Sequence, residues 1–227
     1  MQNCELNFDL VMFDLDGTLI HTSPEIADAI NDALRELGLP DITQQQVNGW
    51  IGRGTRDLLS QAIAYGTGVP AEAVRSAEAF VAQVAVFDQH YHQRCGTRSE
   101  LFPHVRETLV ALRERGIKLA IVTNKEARFT KPVLDFHQMH ALFDEVISGD
   151  TFPVKKPDPV GLLHCMTRLG VAAERALFVG DSSIDVATAR NAGVPVWALP
   201  YGYNLGKPVA DSHPDRMIDD ISILLKS

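Results

Sequence analysis

Asp14 and Asp16 stand two residues apart, directly after the apolar run Phe8–Phe13 and just before Gly17 and Thr18. Carboxylates held this close repel one another and partly protonate unless a cation neutralises them. The pair is therefore a candidate for metal binding and for nucleophilic or acid–base chemistry. Three further polar sets recur along the chain. Thr123-Asn124-Lys125 follows the apolar Leu119–Val122, Lys155-Lys156-Pro157-Asp158-Pro159 precedes a helical stretch, and Gly180-Asp181-Ser182-Ser183-Ile184-Asp185 follows Ala176–Val179. Each set alone has an ordinary meaning: a helix cap, a solvated loop, a turn. Four in order after successive strands form one constellation, because open α/β sheets gather ligands at the carboxyl ends of their strands.

Periodicity shows which elements must carry these residues. Leu10–Phe13 is continuously apolar and reads as a buried strand that turns at Gly17. Ser23-Pro24-Glu25 starts a helix with an N-cap, a proline in the first turn and an acid facing the dipole. Ile26, Ile30, Ala33, Leu34 and Leu37 mark its apolar face, and Gly38 with Pro40 stops it. Thr43 caps a short second helix, Gly54-Thr55 opens a third, and Pro70 opens a long fourth to about His92. From Leu101 the pattern alternates. Helices are expected over Val105–Arg115, up to about Gln138, over Asp158–Leu169 and over Ile184–Asn191. Strands are expected over Lys118–Val122, Glu145–Ser148, Ala176–Val179 and Val194–Leu199. Such alternation predicts an α/β fold, a Rossmann-like parallel sheet with helices on both faces. Its core takes residues 1–20 and 97–227, and an all-helical cap, residues 21–96, lies over the strand ends as a lid.

Composition narrows the partners. The 227 residues are 45% hydrophobic and 22% charged, ordinary values for a soluble globular protein. A net charge of −8 disfavours nucleic acid, whose phosphates need a basic surface. It still allows a small phosphorylated metabolite, provided cations and a metal concentrate in one pocket. Cys4, Cys95 and Cys165 match no zinc or redox spacing and are expected to be free thiols. Met1–Asn7 lacks the basic and apolar regions of a signal peptide, and no run reaches membrane-spanning length. A cytoplasmic monomer or homodimer without a membrane partner is expected.

With these residues in order, the chain resembles the haloacid dehalogenase superfamily over essentially its whole length. The resemblance rests on Asp14-Leu-Asp16-Gly-Thr18, Thr123, Lys156, and Gly180-Asp181 with Asp185. The helical insertion resembles a C1-type cap. Within the superfamily the chain is most similar to phosphoglycolate phosphatases, through Gly52-Arg53-Gly54 and the tail Tyr201-Gly202-Tyr203-Asn204-Leu205-Gly206. His21 departs from the pattern D-G-T-L-x-D at the first hinge. The resemblance implies a phosphate monoester substrate, 2-phosphoglycolate first, and a Mg2+ cofactor. It implies that Asp14 attacks phosphorus and that Asp16 serves as acid and then base. Thr123 and Asn124 would donate to phosphoryl oxygens, and Lys156 would neutralise charge. Asp14, Asp181 and the main-chain carbonyl of Asp16 would hold the metal, with Asp185 in direct or supporting contact.

Alternatives remain within and beyond that family. Asp16 argues against dehalogenases, and the absence of lysine between Thr22 and Gln93 argues against a Schiff-base phosphonate cleavage. The histidine-free stretch Thr22–Ile42 argues against a phosphohexomutase. Another small ester such as a sugar phosphate stays open, and so do a phosphohexomutase and a non-catalytic binding module. Arg53, beside Gly54, is the expected carboxylate contact, because arginine suits bidentate recognition. Arg56 is expected to be solvated, the His90-Tyr91-His92 stretch to be surface helix, and His137 and His140 to be core or surface.

Overall fold

Leu10–Phe13 (β1) carries no polar side chain and is buried throughout, as befits a strand flanked and covered on both sides. The computed structural model describes residues 8–226, so Cys4 lies outside the described residues. Two two-residue strands, Ile20–His21 (β2) and Glu100–Leu101 (β3), pair antiparallel. The remaining strands are Lys118–Val122 (β4), Glu145–Ile147 (β5), Ala176–Gly180 (β6), Val196–Ala198 (β7) and Arg216–Met217 (β8). Six of the strands form one parallel sheet in the order β5-β4-β1-β6-β7-β8. From β1 the chain builds first toward β5 and then, through β6, toward β8. Strand order thus reverses around β1, where such sheets bind ligands.

Alternation along β1 feeds two layers. Val11 and Phe13 pack with Leu109 and Leu112 of helix Val105–Glu114 (α6) and with Val133 and Leu134 of helix Ala127–Phe136 (α7). Leu10 and Met12 pack on the other face with Leu162 and Met166 of helix Val160–Leu169 (α8) and Val186 of helix Ser183–Ala192 (α9).

Between β2 and β3, among the described residues, the chain is helical: Ser23–Glu36 (α1), Gln44–Trp50 (α2), Thr55–Thr67 (α3), Ala71–Ser76 (α4) and Ala79–Arg94 (α5). Thr43 caps α2 in a reciprocal capping box with Gln46. The single long helix expected after Pro70 is instead two. Ala77 is extended (φ −74°, ψ 141°) and ends α4, so α5 can turn Phe80, Val84, Phe87 and Tyr91 into the cap interior. The β2–β3 pair was not expected, because two residues per strand are too few to show alternation. The short β8 was missed for the same reason. Phe129 and Tyr203 join the same apolar cluster from outside the cap, tying it to the sheet domain.

Candidate active site

Asp14 leaves the end of β1 with its N–H on the carbonyl of Val179 in β6 (2.9 Å). Gly17 then turns the chain at φ +89°, and a Cβ there would meet Asp181 Oδ2 at 2.5 Å. Gly202 lies even closer, where a Cβ would meet the same oxygen at 2.0 Å. Both positions therefore exclude side chains so that backbone can wrap Asp181. Its Oδ1 accepts from the Thr18 hydroxyl (2.8 Å) and its Oδ2 from the Tyr203 N–H (2.7 Å). The aromatic tail thus holds an acid of the site as well as the cap.

Asp185 lies in the first turn of α9, in a capping box with Ser182. Its Oδ2 accepts from the N–H groups of Asp181 (3.2 Å) and Ser182 (3.0 Å), and its Oδ1 from Lys156 Nζ (2.7 Å). Lys156 Nζ also pairs with Asp14 Oδ1 at 2.8 Å. Oxygens of Asp14, Asp181 and Asp185 lie within 4.8 Å of one another, all three residues buried. Burial pushes the Asp14 carboxyl up to about 6, and burial together with Asp185 and Asp14 pushes Asp181 well above the usual carboxylate range. Burial alone would lower the Lys156 ammonium, but Asp14 and Asp185 outweigh it and hold it charged. Three acids against one ammonium leave excess negative charge, and hard oxygen donors in that setting fit a divalent cation such as magnesium.

Asp16 faces a different set of partners. Its Oδ1 accepts from Thr22 Oγ1 (2.7 Å), at the start of the cap, and Lys125 Nζ lies 3.0 and 3.2 Å from its two oxygens. Lys125 is buried, hydrogen-bonds the Tyr91 hydroxyl and lies 4.9 Å from that ring's centre. Burial would lower its ammonium, but Asp16, Cys95 and Glu25 keep it raised. Thr123 lies in the pocket, buried, its hydroxyl accepting from the Lys125 N–H (3.2 Å). The Asn124 amide is spent on the protein. It donates to the carbonyls of Gly52 (3.0 Å) and Lys156 (3.1 Å) and accepts from the Lys156 N–H (2.9 Å). Its side chain therefore fastens the cap loop to the sheet, while the residue itself lines the pocket. Glu126 adds a second fastening, accepting from Thr55 Oγ1 (2.8 Å) and Lys155 Nζ (2.9 Å).

Cap and sheet flank a partly open pocket lined by Asp14, Asp16, Thr123 and Lys125 below and by Ile26, Ile51 and Leu58 above. Gly54 lines it too, but Arg53 does not. Arg53 is exposed and lines an outer cleft with Trp50, Asp57 and Leu205. Arg56 is also exposed, 5.6 Å above the Phe80 ring. His21 stays at the hinge, its Nδ1 3.1 Å from the Tyr203 hydroxyl, which also accepts from the Ser23 N–H at 3.0 Å.

Tyr91, expected on a surface helix with His90 and His92, is instead fully buried, and sequence reasoning missed the role of Lys125. Tyr91 was readable, since Phe80, Val84, Phe87 and Tyr91 recur at helical spacing. Lys125 carried no such signal, because a lysine after T-N looks the same whether solvated or buried. The remaining placements are plain. Cys95 and Cys165 are free thiols, His90 pairs with Glu36 at the surface, and Ser99 lies 2.9 Å from His137. Among the described residues, no helix is long and apolar enough to cross a membrane.

Comparison with known proteins places this geometry among relatives. Residues 11–199 match the family model "Haloacid dehalogenase-like hydrolase". The chain is 41% identical over 220 residues to the phosphoglycolate phosphatase of Aliivibrio fischeri, covering 95% of this chain and 94% of that protein. It is 42% identical over 219 residues to that of Pseudomonas savastanoi pv. phaseolicola, covering 95% and 78%. A crystal structure of a predicted phosphoglycolate phosphatase from Haemophilus somnus 129pt superposes with a TM-score of 0.90 at 37% identity, covering 98% of each chain.

Proposed function

Because the chain belongs to the haloacid dehalogenase-like hydrolases, we propose that it is a magnesium-dependent phosphatase that hydrolyses 2-phosphoglycolate to glycolate and phosphate. The observation that carries the reading is the cavity itself: Asp14 and Asp16 on its floor and a largely aliphatic cap wall above them. The two hydroxyls on the cap side are already engaged, Thr55 by Glu126 and Tyr91 by Lys125. A small acid fits such a wall better than a sugar phosphate, whose hydroxyls would find few partners. Relatives about 40% identical and named phosphoglycolate phosphatase support the same choice.

In the mechanism we propose, an Asp14 oxygen attacks phosphorus in line with the ester oxygen and forms an aspartyl phosphate. Asp16 gives its proton to the departing alkoxide, then takes one from the water that cleaves the acyl phosphate. Lys156 offsets charge on the nucleophile and phosphoryl group as the transition state forms, and Thr123 donates to a phosphoryl oxygen. Asp14, Asp181 and the main-chain carbonyl of Asp16 would hold the metal, with Asp185 fixing Lys156 and the α9 turn. Bound there, magnesium supplies positive charge to the phosphoryl oxygens and offsets the repulsion among the carboxylates. The cap excludes water while Asn124 and Glu126 hold it down.

The test is phosphate release from a panel of esters in magnesium, ranked by kcat/KM. 2-Phosphoglycolate should lead, and activity should vanish in EDTA. A sugar phosphate at the head of the ranking would move the chain to that substrate class. No hydrolysis of any ester, p-nitrophenyl phosphate included, would leave a non-catalytic binding module.

A further inference from the structure

Arg53 was the cation expected to select a carboxylate, and it lies outside the pocket between cap and sheet. Among the described residues lining that pocket, Lys125 carries the one cationic side chain. Lys156 is committed to Asp14 and Asp185, and Lys155 to Glu126. We propose that Lys125, steadied by Tyr91, recognises an anionic group on the leaving alcohol and thereby sets substrate choice; this rests on the phosphatase reading above.

The placement follows from connectivity. The ester oxygen must depart beside Asp16, the proton donor. In an α-carboxylate ester such as 2-phosphoglycolate, one carbon separates that oxygen from the carboxylate. The carboxylate therefore lands within a few ångströms of Asp16, and Lys125 Nζ is 3.0 Å from Asp16 Oδ1. An ammonium has three N–H donors, and two of them face the paired oxygens of Asp16, so turning one to an incoming carboxylate still leaves one donor each for Asp16 and Tyr91. Ile26, Ile51 and Leu58 keep the surroundings apolar, which strengthens a charged hydrogen bond and penalises an unpaired cation. A neutral ester of the same size lacks that carboxylate contact, and whatever Lys125 does for Asp16 acts on both esters and cancels in their ratio.

The experiment compares kcat/KM for 2-phosphoglycolate and 3-phosphoglycerate with that for ethyl phosphate, which replaces the carboxylate of 2-phosphoglycolate by a methyl group. It uses the full chain in magnesium. In Lys125→Met the preference of the parent for a carboxylate ester over ethyl phosphate should fall by about 10- to 100-fold, the size of one lost charge-assisted hydrogen bond. Lys125→Arg, which keeps a cation, should retain more of the preference than Lys125→Met. If Lys125→Met fails to fold by circular dichroism, Tyr91→Phe decides. It removes only a hydroxyl and should lower the preference by about 3- to 10-fold, chiefly through KM. A parent that prefers 3-phosphoglycerate and loses this in Lys125→Met overturns the proposed substrate and supports the role of Lys125. Preference retained in Lys125→Met, or in Tyr91→Phe where that variant decides, overturns the role of Lys125 and leaves the substrate standing. A parent indifferent to the carboxylate overturns both.

Discussion

Replacing Asp14 by Asn should make the metal-free protein more stable while ending its turnover. Burial raises the Asp14 carboxyl from 3.8 to about 6, against the pull of Lys156 and with Asp185 and Asp16 adding to the rise. At 1.36 kcal/mol per tenfold change in acidity, ionised Asp14 weighs against the fold by at most about 3 kcal/mol. The attraction of Lys156 is already inside that figure, so a neutral isostere should recover ~1–3 kcal/mol, or ~2–12 °C in Tm for a chain of this size. The sign follows from proton binding. A carboxyl with a raised folded pKa holds more protons folded than unfolded between about pH 4 and pH 6, so stability falls as pH rises across that window. Calorimetry in EDTA should therefore show the variant melting above the parent at pH 8 and converging with it near pH 4. Magnesium should stabilise the parent and narrow the gap at pH 8. A variant that melts below the parent at pH 8 in EDTA, or a gap unchanged by pH, would refute the electrostatic account. Phosphate release by the same sample should be at background.

Asp16→Asn should cut kcat by about 100- to 10,000-fold, since leaving-group protonation and water activation are lost together; activity within tenfold of the parent would remove Asp16 from that role. Asp181→Ala takes away an acid held by Thr18 and Tyr203, and a magnesium titration should show a raised requirement or no activity at all. Arg53→Ala alters an exposed residue outside the cavity. Its kcat/KM for 2-phosphoglycolate should stay within about threefold and its stability within about 0.5 kcal/mol; a loss of tenfold or more on that substrate alone would mean that Arg53 reaches the ester during catalysis.

The parallel sheet was legible in the chain because β1, β6 and, after its exposed Lys118, β4 are continuous apolar runs, and buried strand positions leave no place for polar side chains. The core site was legible for a related reason: Asp14, Thr123 and Asp181 each follow such a run, and parallel strands deliver their ends to one edge. Local chemistry likewise marked Thr43 as a helix cap and the helical run that follows it. Beyond that, sequence spacing carries no information about distance. Asp16 and Lys125 are 109 residues apart, yet their side chains meet, because the turn after β1 and the loop after β4 leave adjacent strands. Tyr203 reaches both Asp181 and the cap hinge because backbone at Gly17 and Gly202 can close on a carboxylate. Asn124 and Glu126 read as loop residues, and only the docking of the cap makes them fastenings. Local pattern determines which residues are buried and which strand ends bear charge. The choice between Arg53 and Lys125 as the cation inside the cavity belongs to tertiary structure, because it depends on how a helical cap sits over a sheet.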